Sequence, residues 1–368
     1  MAQHGIGEFE LIRRLRRSTP LPPSVASSVV AGIGDDAAVL QPRAGRVLLA
    51  TTDLLAEGVH FDLAFTTYRQ LGYKAAMANL SDIAAMGGIP RHVLVAMALT
   101  ARETPRDVEA LYAGIRAACR PAGAVVVGGD TSASQNGLFL SLTVLGEATP
   151  TEVLRRSGAR AGDRLYVTGT LGDARAGLEI LLRRKNKSRA VKTTPTHPSP
   201  LEGEGEGRGD LAYLTRRHLV PTARLTEGRT LAEDKLASAA IDLSDGLAGD
   251  LRHICEESGV GALVDVRRLP LSSPLIAHAR ARRRSPVEYA LSGGEDYELL
   301  FTVPPRKIAR VEAHIRLRRL HATDIGTITA RRQGLRMIGY DNTVRPLTAR
   351  GYEHRLGAIE PKGRPAPR

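Results

Sequence analysis

Residues 237–247, "ASAAIDLSDGL", decide how the chain is read. The small and apolar run "ASAAI" reads as a buried strand. It passes directly into Asp242, Ser244 and Asp245. "LAGDLRHICEESG" follows with helical character, so the unit is strand, acidic turn, helix. In the first half of the chain "NLSDIAAMGG" (79–88) repeats the Leu-Ser-Asp core. Acids placed twice where the chain enters its core call for an explanation.

Working outward, "RVLLATTD" (46–53) reads as a strand that ends in an acid. "TTYRQLGYKAAMANLSDIAAMGG" reads as a helix closed by Gly87 and Gly88. "HVLVAMAL" (92–99), "AVVVGGD" (124–130) and "LFLSLTVLGEA" read as strands. "TPRDVEALYAGIRAAC" reads as a helix with Thr104 as N-cap, Pro105 at the first position and Asp107 in the first turn. A second half begins near "GARAGDRLYVTG" (158–169) and continues with helix "DARAGLEILL" and strand "GALVDV". Strands alternating with helices predict α/β (α+β layered) architecture. The division falls near residue 150, giving domains over 1–150 and 151–355. Residues 183–210 lack apolar periodicity, so a flexible insert in the second domain, away from any site, is expected. The tail, 356–368, is expected to be disordered.

The 368 residues are 42% hydrophobic and 25% charged, which suits a soluble protein of roughly two domains. Cys119 and Cys255 make neither a disulfide framework nor a zinc pattern, so a cytoplasmic protein is expected. The N-terminus lacks the features of a signal peptide, and no apolar run is long enough to predict a membrane span. The net charge of +13 raises nucleic-acid binding as one reading. No zinc-finger or RNP-like motif accompanies it, and aromatics are only 4% with no Trp, so stacking platforms are scarce. A basic surface also suits anionic small substrates.

Acids gather in five motifs: Asp35 and Asp36 in "GIGDDAAVL", Asp53 in "ATTD", Asp82 in "NLSD", Asp130 in "GGDT", and Asp242 and Asp245 in "IDLSD". Read as α/β strand ends, they would face a ligand crevice. A lone Asp at a helix start is most often a cap, and "GDD" is usually a turn. All of them together, each beside Gly, Ser or Thr, point instead to hard cations. Converging carboxylates repel one another, and almost no basic residues lie inside the motifs. Mg²⁺ takes one or two carboxylates and completes its shell with water and phosphate oxygens. Thr51, Thr52 and Ser244 add hydroxyls, and the glycine pairs 128–129 and 293–294 would let the backbone approach a phosphate. No P-loop, protein-kinase or dinucleotide-binding motif occurs.

The blocks "GEFELI", "GIGDDAAVL", "TTDLLAEGVHF", "YKAAMANLSDIAAMGG", "VVGGDT", "RSGARAGDRLYVTGTLGDARAGL", "AIDLSDGLAGDL" and "ALSGGEDYELLFTV" resemble the thiamine-monophosphate kinase family, in that family's order. The resemblance implies the two-domain (PurM-like) fold shared with aminoimidazole-ribonucleotide synthetase. It implies a homodimer joined through the N-terminal domains, with ATP and Mg²⁺ bound by the first domain. The implied reaction moves the γ-phosphoryl group of ATP to thiamine monophosphate, the last step to thiamine diphosphate. Metal ligands then fall on Asp36, Thr51, Thr52, Asp53, Asp82, Asp130, Asp242 and Asp245, with Asp53, Asp82 and Asp130 central to catalysis. ATP contacts fall on Tyr112, Gly129, Asp130, Arg156 and Ser244. The acceptor side falls on His60, Glu295 and Tyr352, with Asp296 the alternative to Glu295. Related synthetases use a reactive Cys near the N-terminus. Here the first Cys is Cys119, inside a helical pattern. A structural-Mg²⁺ nucleic-acid binder and a non-catalytic nucleotide binder are the rival classes.

Overall fold

The computed structural model describes residues 14–15, 17–20, 27–31, 39–192, 207–349 and 351–352. A short antiparallel pair, β1 (Val29–Ala31) and β2 (Val39–Leu40), precedes a four-stranded sheet. That sheet comprises β3 (Val47–Ala56), β4 (Ile89–Leu99), β5 (Val125–Ala133) and β6 (Phe139–Ala148). Its order is β3-β6-β4-β5, with only β4 and β5 parallel.

Two helices cover one face of this sheet. Helix α1 (Tyr68–Ala85) starts at a capping box between Thr67 and Gln70. Helix α2 (Pro105–Ala122) starts with Thr104 as N-cap, Pro105 in the first turn and Asp107 completing the box, as the sequence predicts. The helices cross where each has a glycine. A Cβ on Gly72 would fall 2.0 Å from the Leu111 carbonyl oxygen, and one on Gly114 1.9 Å from that of Arg69.

Strand register gives the two faces different characters. The row Asp53–Leu142–Val95–Gly129 lies on the helix-covered face, where Leu142 and Val95 are core residues. The next row, Leu54–Ser141–Ala96–Asp130, lies on the opposite face. There Leu54 is 57% exposed, and Ala96 and Asp130 are exposed.

The second sheet has seven strands: β7 (Arg164–Thr168), β8 (Ala239–Asp242), β9 (Val260–Asp265), β10 (Leu299–Val303), β11 (Ala322–Ala330), β12 (Leu335–Ile338) and β13 (Val344–Pro346). Its order is β13-β12-β9-β11-β7-β10-β8, antiparallel except for β12 with β9. Between its strands run α3 (Asp173–Lys192), α4 (Gly207–Leu219), α5 (Leu225–Glu233), α6 (Leu247–Ser258), α7 (Ser273–Ala281), α8 (Pro286–Ser292) and α9 (Ile308–Arg316). Alternating α and β segments therefore build mixed, mainly antiparallel sheets, and the parallel-sheet logic of a crevice at strand ends does not apply.

Helix α1 joins the two sheets. Its C-terminal Ala84 and Ala85 share a core with Leu231 and Ala232 of α5 and with Phe301 of β10. The approach is close enough that a Cβ on Gly228 would fall 2.1 Å from the Ala84 carbonyl oxygen. At the edge strand β8, the Ser81 hydroxyl donates to Asp242 Oδ2 at 2.8 Å, both residues buried.

Two expectations change. Helices α3 and α4 run into both ends of the segment 183–210, whose middle, 193–206, lies outside the described residues. The tail 356–368 also lies outside them. Further, Asp53 and Asp130 sit inside strands and Asp82 on a helix, so of the four acids Asp53, Asp82, Asp130 and Asp242 only Asp242 ends a strand.

Candidate active site

One face of α1 carries Lys74, Ala78, Ser81 and Asp82, spaced i, i+4, i+7 and i+8. That face meets β3 on one side and the β8–α6 connection on the other. Between them lies a cavity of about 790 Å³, lined from the first sheet by Thr52, Asp53 and His60. The second half supplies Asp242, Ser244, Asp245, Glu295 and Tyr352. A smaller cavity of about 380 Å³ is lined by Thr51 and Arg156 among others. Asp82 and Asp242 line both cavities.

Among the described residues no Lys, Arg or His forms an ion pair with Asp53, Asp82 or Asp242. Burial, with the Asp82 charge beside it, pushes Asp53 up to about 6. Asp242 is raised by burial and by the charge of Asp82. Asp82 is raised by burial, against the lowering effects of the Thr51 hydroxyl and of Arg156. Thr51 Oγ1 donates to Asp82 Oδ2 at 2.5 Å. Each of these carboxylates would gain from a cation.

The turn after β8 is held by its surroundings. Asp250, buried in the first turn of α6, accepts from the backbone N–H of Asp245 at 3.2 Å and of Gly246 at 3.0 Å. The segment 293–298 zips onto the same turn: Glu295 N–H donates to the Ser244 carbonyl at 2.8 Å, and Tyr297 N–H to that of Leu243 at 2.9 Å. Glu295 (φ 68°) and Tyr297 (φ 52°) occupy the left-handed region, which non-glycine residues adopt at a cost. A Cβ on Gly294 would fall 2.4 Å from the Ser244 carbonyl oxygen, and one on Gly129 1.9 Å from that of Val95. At both positions the absence of a Cβ admits a neighbouring strand or turn of the chain itself.

Glu295 and Asp296 point to different places. Asp296 is buried and accepts from Gly172 N–H at 2.6 Å and Ala174 N–H at 3.2 Å, fixing the start of α3. Glu295 lines the larger cavity, with Lys74 Nζ 2.6 Å from its Oε1 and His218 Nδ1 3.0 Å from its Oε2. Burial alone would raise Glu295, but Lys74 and His218 outweigh it and hold the carboxyl at about 2. His60 Nδ1 accepts from Ala56 N–H at 3.0 Å, which places the ring proton on Nε2. Tyr352 anchors to the turn through its backbone N–H, 3.0 Å from the Asp245 carbonyl oxygen.

Four predicted residues stand apart. Asp36 lies outside the described residues. Tyr112 is packed into the core between α1 and the first sheet and lines neither cavity. Gly129 and Asp130 lie on β5, three strands from β3, a separation of about 14 Å at the usual strand spacing. Asp130 also faces the sheet side opposite to Asp53. One chain therefore does not bring Asp130 to the other acids. The flank of segment 183–210 does approach the site, contrary to expectation. Lys185 on α3 pairs with Asp62, which lines the larger cavity beside Leu178 and Leu182.

Sequence reasoning missed Lys74, Ser81, His218 and Asp250. Lys74 had a readable signal, a cation two helical turns before Asp82 within an Ala-rich stretch. His218 had none, since its helix begins inside a segment of low complexity.

Comparison with known proteins fits this architecture. The family model for the N-terminal domain of AIR synthase related protein matches residues 34–148, and the model for the C-terminal domain matches 160–338. Thiamine-monophosphate kinase of Salmonella typhimurium is 38% identical over 351 residues, covering 95% of this chain and 98% of that protein. The chain belongs to the thiamine-monophosphate kinase family. The crystal structure of the enzyme from Stenotrophomonas maltophilia K279a superposes with a TM-score of 0.74 at 36% identity, covering 91% of this chain and 97% of that one. A solved complex of AaThiL with AMPPCP and TMP superposes with a TM-score of 0.70 at 31% identity, covering 96% and 99%. The two-domain kinase-family fold accounts for both sheets and for the cleft between them.

Proposed function

We propose that this chain is an ATP-dependent kinase that phosphorylates thiamine monophosphate to thiamine diphosphate, releasing ADP. The observation that carries the reading is the pairing of two unlike carboxylate environments in one cavity. Asp53, Asp82 and Asp242 have no ion-pair partner among the described residues and are raised by burial, whereas Glu295 is paired and held ionised. A relative solved with AMPPCP and TMP occupies the same fold.

The acids fit Mg²⁺. Their donors are all oxygen, and among the described residues no group of three His, Cys, Asp or Glu side chains closes on a single point. Mg²⁺ needs only one or two carboxylates and completes its shell with water and phosphate. Asp53, Asp82, Asp242 and Asp245, with the Thr51 and Thr52 hydroxyls, would hold several such ions. When bound, they supply positive charge to the phosphates of donor and acceptor.

The chain's own residues then position two anions. Arg156 and Ser244 take the ATP side, and His60, Glu295 and Tyr352 the acceptor side. The acceptor phosphate is ionised near neutral pH, so no side chain need act as a base. One of its oxygens forms the bond to the γ-phosphorus in line with the breaking bond to the β–γ bridging oxygen, and ADP leaves.

A homodimer belongs to this reading. Both edges of the first sheet, β3 and β5, lack a strand partner among the described residues. Leu48 and Leu54 on β3 are each 57% exposed, which marks an uncovered apolar edge. Joining β3 of one copy to β5 of another would cover this edge. The first 150 residues would serve both dimerisation and ATP–Mg²⁺ binding. The two buried free cysteines and the absence, among the described residues, of a helix fit to cross a membrane suit a cytoplasmic enzyme.

The test is to incubate the full chain with ATP, Mg²⁺ and thiamine monophosphate and to follow both products by chromatography. Thiamine diphosphate and ADP in equal amounts, abolished by EDTA and absent with unphosphorylated thiamine, are expected. ADP without thiamine diphosphate would reassign the acceptor.

A further inference from the structure

Lysine is almost never fully buried unless a partner holds it. Lys74 is 2% exposed, on the α1 face that meets the second half of the chain. Its Nζ lies 2.6 Å from Glu295 Oε1, so the pair crosses from the first sheet's helix to the loop of residues 293–298. His218, also buried, approaches the other oxygen from α4 at 3.0 Å and lines the same cavity. The carboxylate is thus ion-paired at one oxygen by Lys74, with the His218 ring close to the other. Its backbone, in the left-handed region, is fixed by the hydrogen bond to the Ser244 carbonyl. An isolated glutamate on a loop would sample several rotamers, and one buried without a cation would take up a proton. Each carboxylate oxygen has two acceptor sites, so one on each remains for a ligand.

We propose that Lys74 and His218 are positioning residues for the acceptor: they hold Glu295 ionised and aimed into the larger cavity, where it receives the cationic heteroaromatic part of the substrate. The inference rests on the acceptor-side reading of Glu295 given above. Lys74 sits on the same helix face as Asp82, two turns earlier. One rigid element therefore sets the acceptor's organic end relative to the acids that serve its phosphate. Neither Lys74 nor His218 touches the reacting atoms, and both act through Glu295.

The experiment measures steady-state kinetics of the full chain for wild type, Lys74→Met, His218→Gln, Glu295→Gln and the Lys74→Met/Glu295→Gln double variant. Losing a charge-assisted contact predicts that Lys74→Met raises the KM for thiamine monophosphate about tenfold. The KM for ATP should stay within about twofold, because it depends on contacts elsewhere in the cleft. His218→Gln should act in the same direction and less strongly. The double variant should match Glu295→Gln, since removing Lys74 matters only while Glu295 is present. Lys74→Met multiplying the acceptor KM equally in both backgrounds, or raising both substrates' KM alike, would overturn the inference. Should Lys74→Met fail to fold by circular dichroism, His218→Gln and its own double with Glu295→Gln are judged by the same criterion. Wild-type enzyme that makes no thiamine diphosphate would overturn the functional reading itself, and the inference with it.

Discussion

Two regions of one cavity treat their carboxylates in opposite ways. At the α1–β3–β8 junction, Asp53 is pushed up to about 6 by burial and by Asp82, with no cation in an ion pair. Across the cavity, Glu295 is brought down to about 2, against its own burial, by Lys74 and His218. The first environment stores repulsion that a bound cation relieves. The second is already paired within the chain, its carboxylate held ionised toward the cavity. Acidic residues drawn into one cleft thus serve separate tasks, and the difference is set by which cations the fold places beside them.

The largest effect that could break this comparison comes from the first region. Asp82→Asn, at the wall shared by both cavities, should lower turnover at least about 100-fold, as loss of a charge-organising group does. Initial rates with saturating substrates check it, and near-normal turnover would remove Asp82 from the site. Next is the open edge of the first sheet. If copies pair through this edge as proposed above, Leu54→Asp should shift the protein from dimer to monomer in sedimentation, because it places a charge on the exposed apolar edge strand. An unchanged dimer would contradict that pairing.

A smaller effect sharpens the electrostatics. A carboxyl whose folded-state value is raised binds its proton more readily when folded than when unfolded. Its contribution therefore falls as pH rises from about 4, the unfolded value, through about 6. Asp53→Asn should accordingly stabilise the metal-free protein by about 1–2 kcal/mol at pH 8, allowing for solvent screening, and do little at pH 4. Added Mg²⁺ should raise the melting temperature of wild type more at pH 8 than at pH 5, and should raise that of the variant less. Thermal unfolding with and without EDTA measures each. Equal stabilisation at both pH values would deny that these acids hold the metal. Smallest is Ser81→Ala, which leaves buried Asp242 one donor short at the joint between the sheets. A loss of about 1–3 kcal/mol is expected in denaturant unfolding.

Much of the local structure was readable before the fold was known. The Thr104–Pro105–Asp107 start of α2 appears as the capping rules require, and the strand and helix around "IDLSD" fall where the apolar run and the following periodicity place them. The acids of the cleft were readable because they recur beside small and hydroxyl residues. What sequence could not supply was register across the sheet. Asp53 and Asp130 look alike as acids following an apolar run, yet pairing through β6 and β4 puts them on opposite faces at opposite edges. The partner of Glu295 was hidden for a related reason: Lys74 lies far from it in the chain, and only the docking of α1 against the second half brings them together. Tyr112 differs in another way. It follows an amphipathic pattern that serves packing in α2, and the phenol ends in the core.

The central claim is the division of labour between the two carboxylate environments. Its most direct test measures the Mg²⁺ dependence and the thiamine monophosphate KM of Asp53→Asn and Glu295→Gln side by side. The account predicts a crossed result: Asp53→Asn moves the Mg²⁺ requirement and leaves the acceptor KM near wild type, and Glu295→Gln does the reverse. Both substitutions moving the same parameter by similar factors would contradict it.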